Sequence, residues 1–245
     1  MRHGRLWLAL SVLAFSGWAA WSAAQQPKPP ADDPPADPAA EEAKEKAVAD
    51  RFRQVLETNP RRGTALDRLY GYHVERGTLG QLIGEYRTRI QKGPKDGTAW
   101  MIVGLLEAQR GKDAAAVEAF RKAEEHLSTN AIPPYYLGQS LVLVGQPDAA
   151  AQAFERAIAR KPNRTDLLDV FQALGRVYQR SQRPEKALEV WDRLEKLFPD
   201  DPRVQEQIAA TLAEEGQFDQ ALPRYEKTRR DGPPVRHAPR TSASQ

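Results

Sequence analysis

The 245-residue sequence contains no cysteine. In an exported chain that excludes a disulfide framework, a thiol nucleophile, a thiolate metal site and a lipid-bearing cysteine anchor, so packing alone must hold the fold. Histidine is scarce as well: of four, His3 and His237 lie near the ends, leaving His73 and His126, too far apart in sequence for metal-ligand spacing. There is no Gly-x-Ser-x-Gly, no phosphate-cradling glycine loop and no dinucleotide fingerprint. No catalytic residue, metal or cofactor is expected. An excess of one charge is missing too. Lys plus Arg number 36 against 33 Asp plus Glu, and interspersed signs lack the one-sided field that phosphate binding needs, so nucleic acid is not an expected partner. The basic cluster from Arg224 to Arg240 is broken by Glu226 and Asp231 and reads as a solvated tail.

One long apolar run stands out. Arg2 and Arg5 precede Leu6–Ala20, and Ser22-Ala23-Ala24 follow, the three-part pattern of a secretory signal over 1–24 with cleavage after Ala24. The alternative is an uncleaved membrane anchor facing outside the cytoplasm, since the run approaches the ~20 residues a membrane helix needs. Either way the expected location is the periplasm, the cell envelope or the exterior. Residues 25–40, rich in Pro, Ala and Asp, have almost nothing to bury and are expected to form a disordered spacer.

The body repeats itself. Aromatics fall at Phe52, Tyr86, Phe120 and Phe154, each 34 after the last, then at Trp191 and Tyr225. Small or apolar residues four places earlier keep step at Val48, Leu82, Ala116, Ala150, Ala187 and Ala221, and Gly77, Gly111 and Gly145 share the period. Each unit reads as two amphipathic helices joined by a turn, with Gly111 where a helix ends in a left-handed residue. The small residues Gly104 and Ala116 let the two helices cross closely, and Phe120 fills the space toward the next unit. Pro147 and Pro184 fall just inside the start of second helices, where the missing N–H costs nothing.

These columns, with Leu137-Gly138, Gly145, Ala150, Phe154, Ala157 and Pro162 in one unit and Leu174-Gly175, Tyr178, Ala187, Trp191 and Pro199 in the next, resemble the tetratricopeptide repeat. The resemblance implies an all-α, right-handed α-solenoid. Five units are expected at 63–96, 97–130, 131–164, 168–201 and 202–235, preceded by a lone second helix within 41–62 and followed by a disordered tail, 236–245. Three inserted residues, Thr165-Asp166-Leu167, are expected to lengthen the next helix by about a turn with Thr165 as its cap. Tyr70 stands where a small residue belongs, so the first hairpin should cross less closely. Pro223 inside the last helix removes a backbone bond and favours a kink or fraying there. No polar-faced terminal helix follows Pro233, leaving an uncapped end through which copies can associate into a homo-oligomer.

In proteins of this family the first helices line a concave groove. By elimination of the residues used in the hairpin cores, the groove residues are Arg68, Met101, Leu105, Tyr135, Tyr136, Gln139, Gln172 and Arg176. Ile102 and Tyr136 have a competing reading as core residues packed between helices. The clamp of Lys, Asn and Arg with which some relatives hold a C-terminal carboxylate is not seen here, since Asp67, Gly71, Met101 and Leu105 occupy its places. An apolar centre with tyrosines and an arginine rim suits an extended peptide of another protein. The expected function is an exported scaffold or adaptor, with self-assembly or an accessory role in an envelope enzyme or polysaccharide system as alternatives. Membrane contact is expected only through an uncleaved N-terminus.

Overall fold

The computed structural model describes residues 38–199 and 201–231. The signal segment, residues 25–37 of the spacer and the tail lie outside them. Among the described residues there are eleven helices and no strand: α1 (Pro38–Thr58), α2 (Thr64–Glu75), α3 (Leu79–Lys92), α4 (Gly97–Gln109), α5 (Asp113–His126), α6 (Ile132–Leu143), α7 (Pro147–Ala159), α8 (Arg164–Arg180), α9 (Pro184–Leu197), α10 (Pro202–Glu214) and α11 (Phe218–Asp231). None is long and apolar enough to cross a membrane.

Contacts divide the chain into two units between Lys44 and Glu45. The first contributes the opening turns of α1, where Lys44 pairs with Glu41 at 3.2 Å. Residues 38–40, expected in the spacer, are helical: Pro38 sits in the first turn, where its lack of an N–H is harmless.

The second unit is an all-α helical-repeat solenoid in which α4/α5, α6/α7, α8/α9 and α10/α11 form close antiparallel hairpins. Each turn ends the first helix with the same bond, as when Lys112 N–H donates to the Glu107 carbonyl at 2.8 Å around Gly111, whose φ is +75°. In the fourth unit Gln182 takes this conformation at φ +58°, and Arg183 N–H still reaches the Tyr178 carbonyl at 2.9 Å.

The periodic columns have a steric cause. A Cβ placed on Gly104 would lie 2.5 Å from the Phe120 ring, one on Gly138 2.5 Å from Phe154, and one on Gly175 2.1 Å from Trp191. The ring of each second helix therefore rests directly on first-helix backbone. Phe120 also meets Tyr136 of the next unit at 5.8 Å between ring centres.

Tyr70 fills this slot in the first unit, and there α2 and α3 touch along far less of their length. Tyr86 instead turns toward α1, where its hydroxyl donates to Glu57 Oε1 at 2.9 Å. Val48 and Val55 of α1 are exposed, with no first helix among the described residues to receive them.

The insertion lengthens α8 to 17 residues. Its cap is Asn163, not Thr165: Asn163 Oδ1 accepts the Asp166 N–H at 3.0 Å, so the helix begins two residues sooner than the cap expectation placed it. Helix α11 runs unbroken through Pro223.

Candidate functional site

Seven consecutive residues of α4, Met101–Glu107, are buried, close to two full turns with no open face. In α6 the residues Ile132–Pro134, Tyr136–Gly138 and Ser140–Leu141 are buried likewise. First helices that line an open groove keep one face in water; this stretch of α4 does not, whereas α6 keeps Tyr135 and Gln139 half-buried and Val142 and Leu143 exposed.

This corrects the groove assignment. Met101 is 0% and Leu105 1% exposed, and both join the continuous apolar core. Helix α2, with Leu66 and Leu69 buried, packs against α4 as well as α3. Tyr136 is buried too, as its competing reading held. Tyr135, Gln139, Gln172 and Arg176 are half-buried, and Arg68 is exposed on α2. Tyr135 lies between Tyr136 and Phe154, with ring centres 5.5 and 6.0 Å away. Burial pushes its hydroxyl up to about 12, so the phenol stays neutral.

The loop between α1 and α2 enters the same region. Arg61 Nη1 and Nη2 donate to the two carboxylate oxygens of Asp166 at 2.6 and 2.7 Å. This hydrogen-bonded carboxylate raises the guanidinium's affinity for its proton further. Arg62 N–H donates to the Tyr136 hydroxyl at 3.0 Å, and its Nη1 donates to Gln139 Oε1 at 2.6 Å. The Arg62 guanidinium lies 5.3 Å from the centre of the Tyr136 ring. Burial, and then the Asp166 charge, push the neighbouring Asp169 carboxyl above its ordinary range, with Arg61 opposing.

Beside this loop a cleft of about 580 Å³ remains open between α6, α7 and α8. Val142, Leu143, Phe154 and Val177 form apolar walls, and Arg62, Arg176 and Arg180 stand around them. Arg176 donates to Glu214 at 2.7 Å and Arg180 to Glu215 at 2.9 Å, joining α8 to the end of α10. Of the residues named from sequence, Gln139 and Arg176 border the cleft, whereas Arg68 and Gln172 do not. Val142 and Leu143 were missed because they end α6 beyond the positions matched between units, although two apolar residues just before a turn glycine are visible in the sequence. Arg61 and Asp166 had no local signal. Among the described residues no group of three His, Cys, Asp or Glu side chains is placed to hold a metal.

Tetratricopeptide-repeat family models match residues 78–131 and 141–210, together just over half of the chain. No curated protein matches the sequence. Among solved structures, the crystal structure of MamA is 23% identical, with a TM-score of 0.51 over 66% of this chain and 94% of that one. MamA from Desulfovibrio magneticus is 16% identical, with a TM-score of 0.50 over 74% and 93%. At these identities the likeness is one of fold: stacked helix hairpins.

Proposed function

The chain belongs to the tetratricopeptide-repeat family, whose repeats serve as protein-interaction scaffolds, and from that premise we propose an exported adaptor that docks an extended segment of another protein between α6, α7 and α8. The chemistry of the open cleft carries this reading. Leu143 is 64% exposed at its mouth, and guanidinium groups surround its apolar walls. Such a site suits a segment with apolar side chains and a carboxylate. The pair of Arg176 with Glu214 is solvent-facing, contributes little where it is, and can be exchanged for a ligand's carboxylate. The arrangement of Arg2, Arg5, Leu6–Ala20 and Ser22-Ala23-Ala24 supports export.

Selection of a displayed random-peptide library on the full chain tests the cleft. The expected peptides combine apolar and acidic residues, are lost with Leu143→Asp, and weaken with Arg176→Glu in variants of unchanged helical circular dichroism. Recovery of the same peptides on both variants, or of none on the wild type, overturns the reading. N-terminal sequencing of the secreted protein should begin at Gln25, and an earlier start removes cleavage after Ala24.

A second reading, self-assembly, has its own observation. Phe218, Leu222 and Tyr225 are 61%, 59% and 38% exposed along one face of α11. Light scattering at high protein concentration decides it: an oligomer dispersed by Leu222→Glu supports it, and a monomer removes it.

A further inference from the structure

The α1–α2 loop is held on α6 and α8 as a ligand is held. Asn59–Gly63 carry no helix. The paired nitrogens of Arg61 meet the paired oxygens of Asp166, a fork-on-carboxylate contact that fixes direction as well as distance and that lysine cannot copy. Asp166 is itself fixed, since Asn163 Nδ2 donates to its Oδ2 at 2.6 Å. One residue on, Tyr136 accepts the main-chain N–H of Arg62 and faces its guanidinium, while Gln139 accepts Nη1. Three side chains on two helices thus read two consecutive arginines and one main-chain N–H.

These contacts join residues 74, 77 and 105 apart in sequence. Each is polar and of a kind that a segment from another molecule can reproduce. The Arg62 side is exposed, and the Arg61 side chain is 34% exposed against 10% for Asp166. A carboxylate so covered cannot be left without a cation. A segment that replaces the loop must therefore bring a guanidinium of its own.

We propose that Tyr136, Gln139 and Asp166 form a recognition site for an extended peptide with two consecutive arginines, and that Arg61-Arg62 occupy it as an internal stand-in which such a peptide displaces. The site shares Gln139 with the walls of the open cleft, which its occupant Arg62 also borders, and it takes ligands of the opposite charge. A tethered occupant competes at high effective concentration, so binding in trans is weakened by the fraction of time the loop is seated.

The probe is a fluorescent nonapeptide, Glu-Thr-Asn-Pro-Arg-Arg-Gly-Thr-Ala, copying residues 57–65, beside a twin with glutamine for both arginines. Anisotropy titrations use the full chain as wild type, as Arg61→Ala/Arg62→Ala, and as that variant with Asp166→Asn added. Vacating the site should tighten binding of the arginine peptide about tenfold or more over wild type. The glutamine twin should not bind, and Asp166→Asn should abolish the gain. If the vacated variant keeps wild-type helicity yet does not distinguish the two peptides, or is indifferent to Asp166→Asn, the loop is only a structural tie. Should the double alanine variant lose helicity, Arg61→Lys/Arg62→Lys takes its place, because it keeps both charges but gives up the fork. A smaller gain is then expected, and no gain overturns the proposal. Leu143→Asp should leave this titration unchanged, so failure here and failure of the cleft reading are separable.

Discussion

Gly138→Ala is the sharpest test of how the hairpins are built, because helix propensity and packing pull in opposite directions. Alanine is favoured over glycine inside a helix by about 1 kcal/mol, so propensity alone predicts stabilisation. The new methyl, however, would sit 2.5 to 2.8 Å from three atoms of the Phe154 ring. That ring is 1% exposed and is backed by Tyr135, so it can yield only toward the cleft it borders. Overpacking of this kind costs about 1–3 kcal/mol, and the rigid ring places it at the upper end, for a net loss of about 2 kcal/mol. In a folded body of this size each kcal/mol moves Tm by about 2–4 °C, giving an expected fall of about 4–8 °C.

Gly84→Ala is the control. Gly84 is also helical, but a Cβ there meets nothing within 4 Å, so the propensity gain survives and Tm should rise by about 2–4 °C. Thermal melts followed by circular dichroism compare the two. Adding Phe154→Leu to Gly138→Ala should recover part of the loss, a coupling that separates collision from general damage. A Gly138→Ala variant that gains stability alongside Gly84→Ala refutes the claim that the second-helix ring rests on first-helix backbone.

Other perturbations address the loop, the pH dependence and the last hairpin. Asp166→Asn should unseat Arg61 and hasten tryptic cleavage at Arg61 and Arg62 several-fold while overall helicity is kept; an unchanged cleavage rate would show that the bidentate pair does not hold the loop. Burial lowers the His73 imidazole below its ordinary value, while its Nδ1 lies 2.8 Å from Thr78 Oγ1. The folded state therefore binds that proton less well than the unfolded chain. Its contribution is complete above about pH 6.5 and is lost as pH falls through that value toward the lowered folded one. His73→Gln should flatten this part of a stability-versus-pH curve, and a curve identical to wild type rejects the assignment. Pro223→Ala should restore a backbone bond in α11 and raise the stability of the last hairpin by up to about 3 kcal/mol. Hydrogen exchange on α11 reads it, with no slowing as the contrary result.

The hairpins were legible because their cause is local and repeated. Gly104 with Phe120, Gly138 with Phe154 and Gly175 with Trp191 are steric pairs at fixed spacing, so a periodic column of small residues and another of aromatics define the crossing. Tyr70 in the small-residue column correctly marked the hairpin that does not close. The α8 cap was misplaced because Asn163 and Thr165 are both competent capping residues two positions apart, and only the bond to the Asp166 N–H decides between them. The groove assignment failed at Met101 and Leu105 for a different reason. Both were assigned to the groove because the hairpin core did not need them, but a residue released by one packing surface can be claimed by another.

The sign that this had happened was present in the sequence. GTAWMIVGLLEAQ in α4 is apolar on nearly every side, and a helix of that kind must be covered all round. Which segment covers it rests on contacts between distant residues that no local pattern encodes. Helix α2 and the α1–α2 loop are held in place by different physics. Helix α2 buries Leu66 and Leu69, and apolar burial at about 25 cal/mol per Å² is lost on exposure whatever the competitor. The Arg61-Arg62 loop is held by hydrogen bonds and an ion pair, which an incoming segment of like chemistry replaces one for one. A partner that competes with this chain for its own groove therefore competes with the loop and leaves α2 in place.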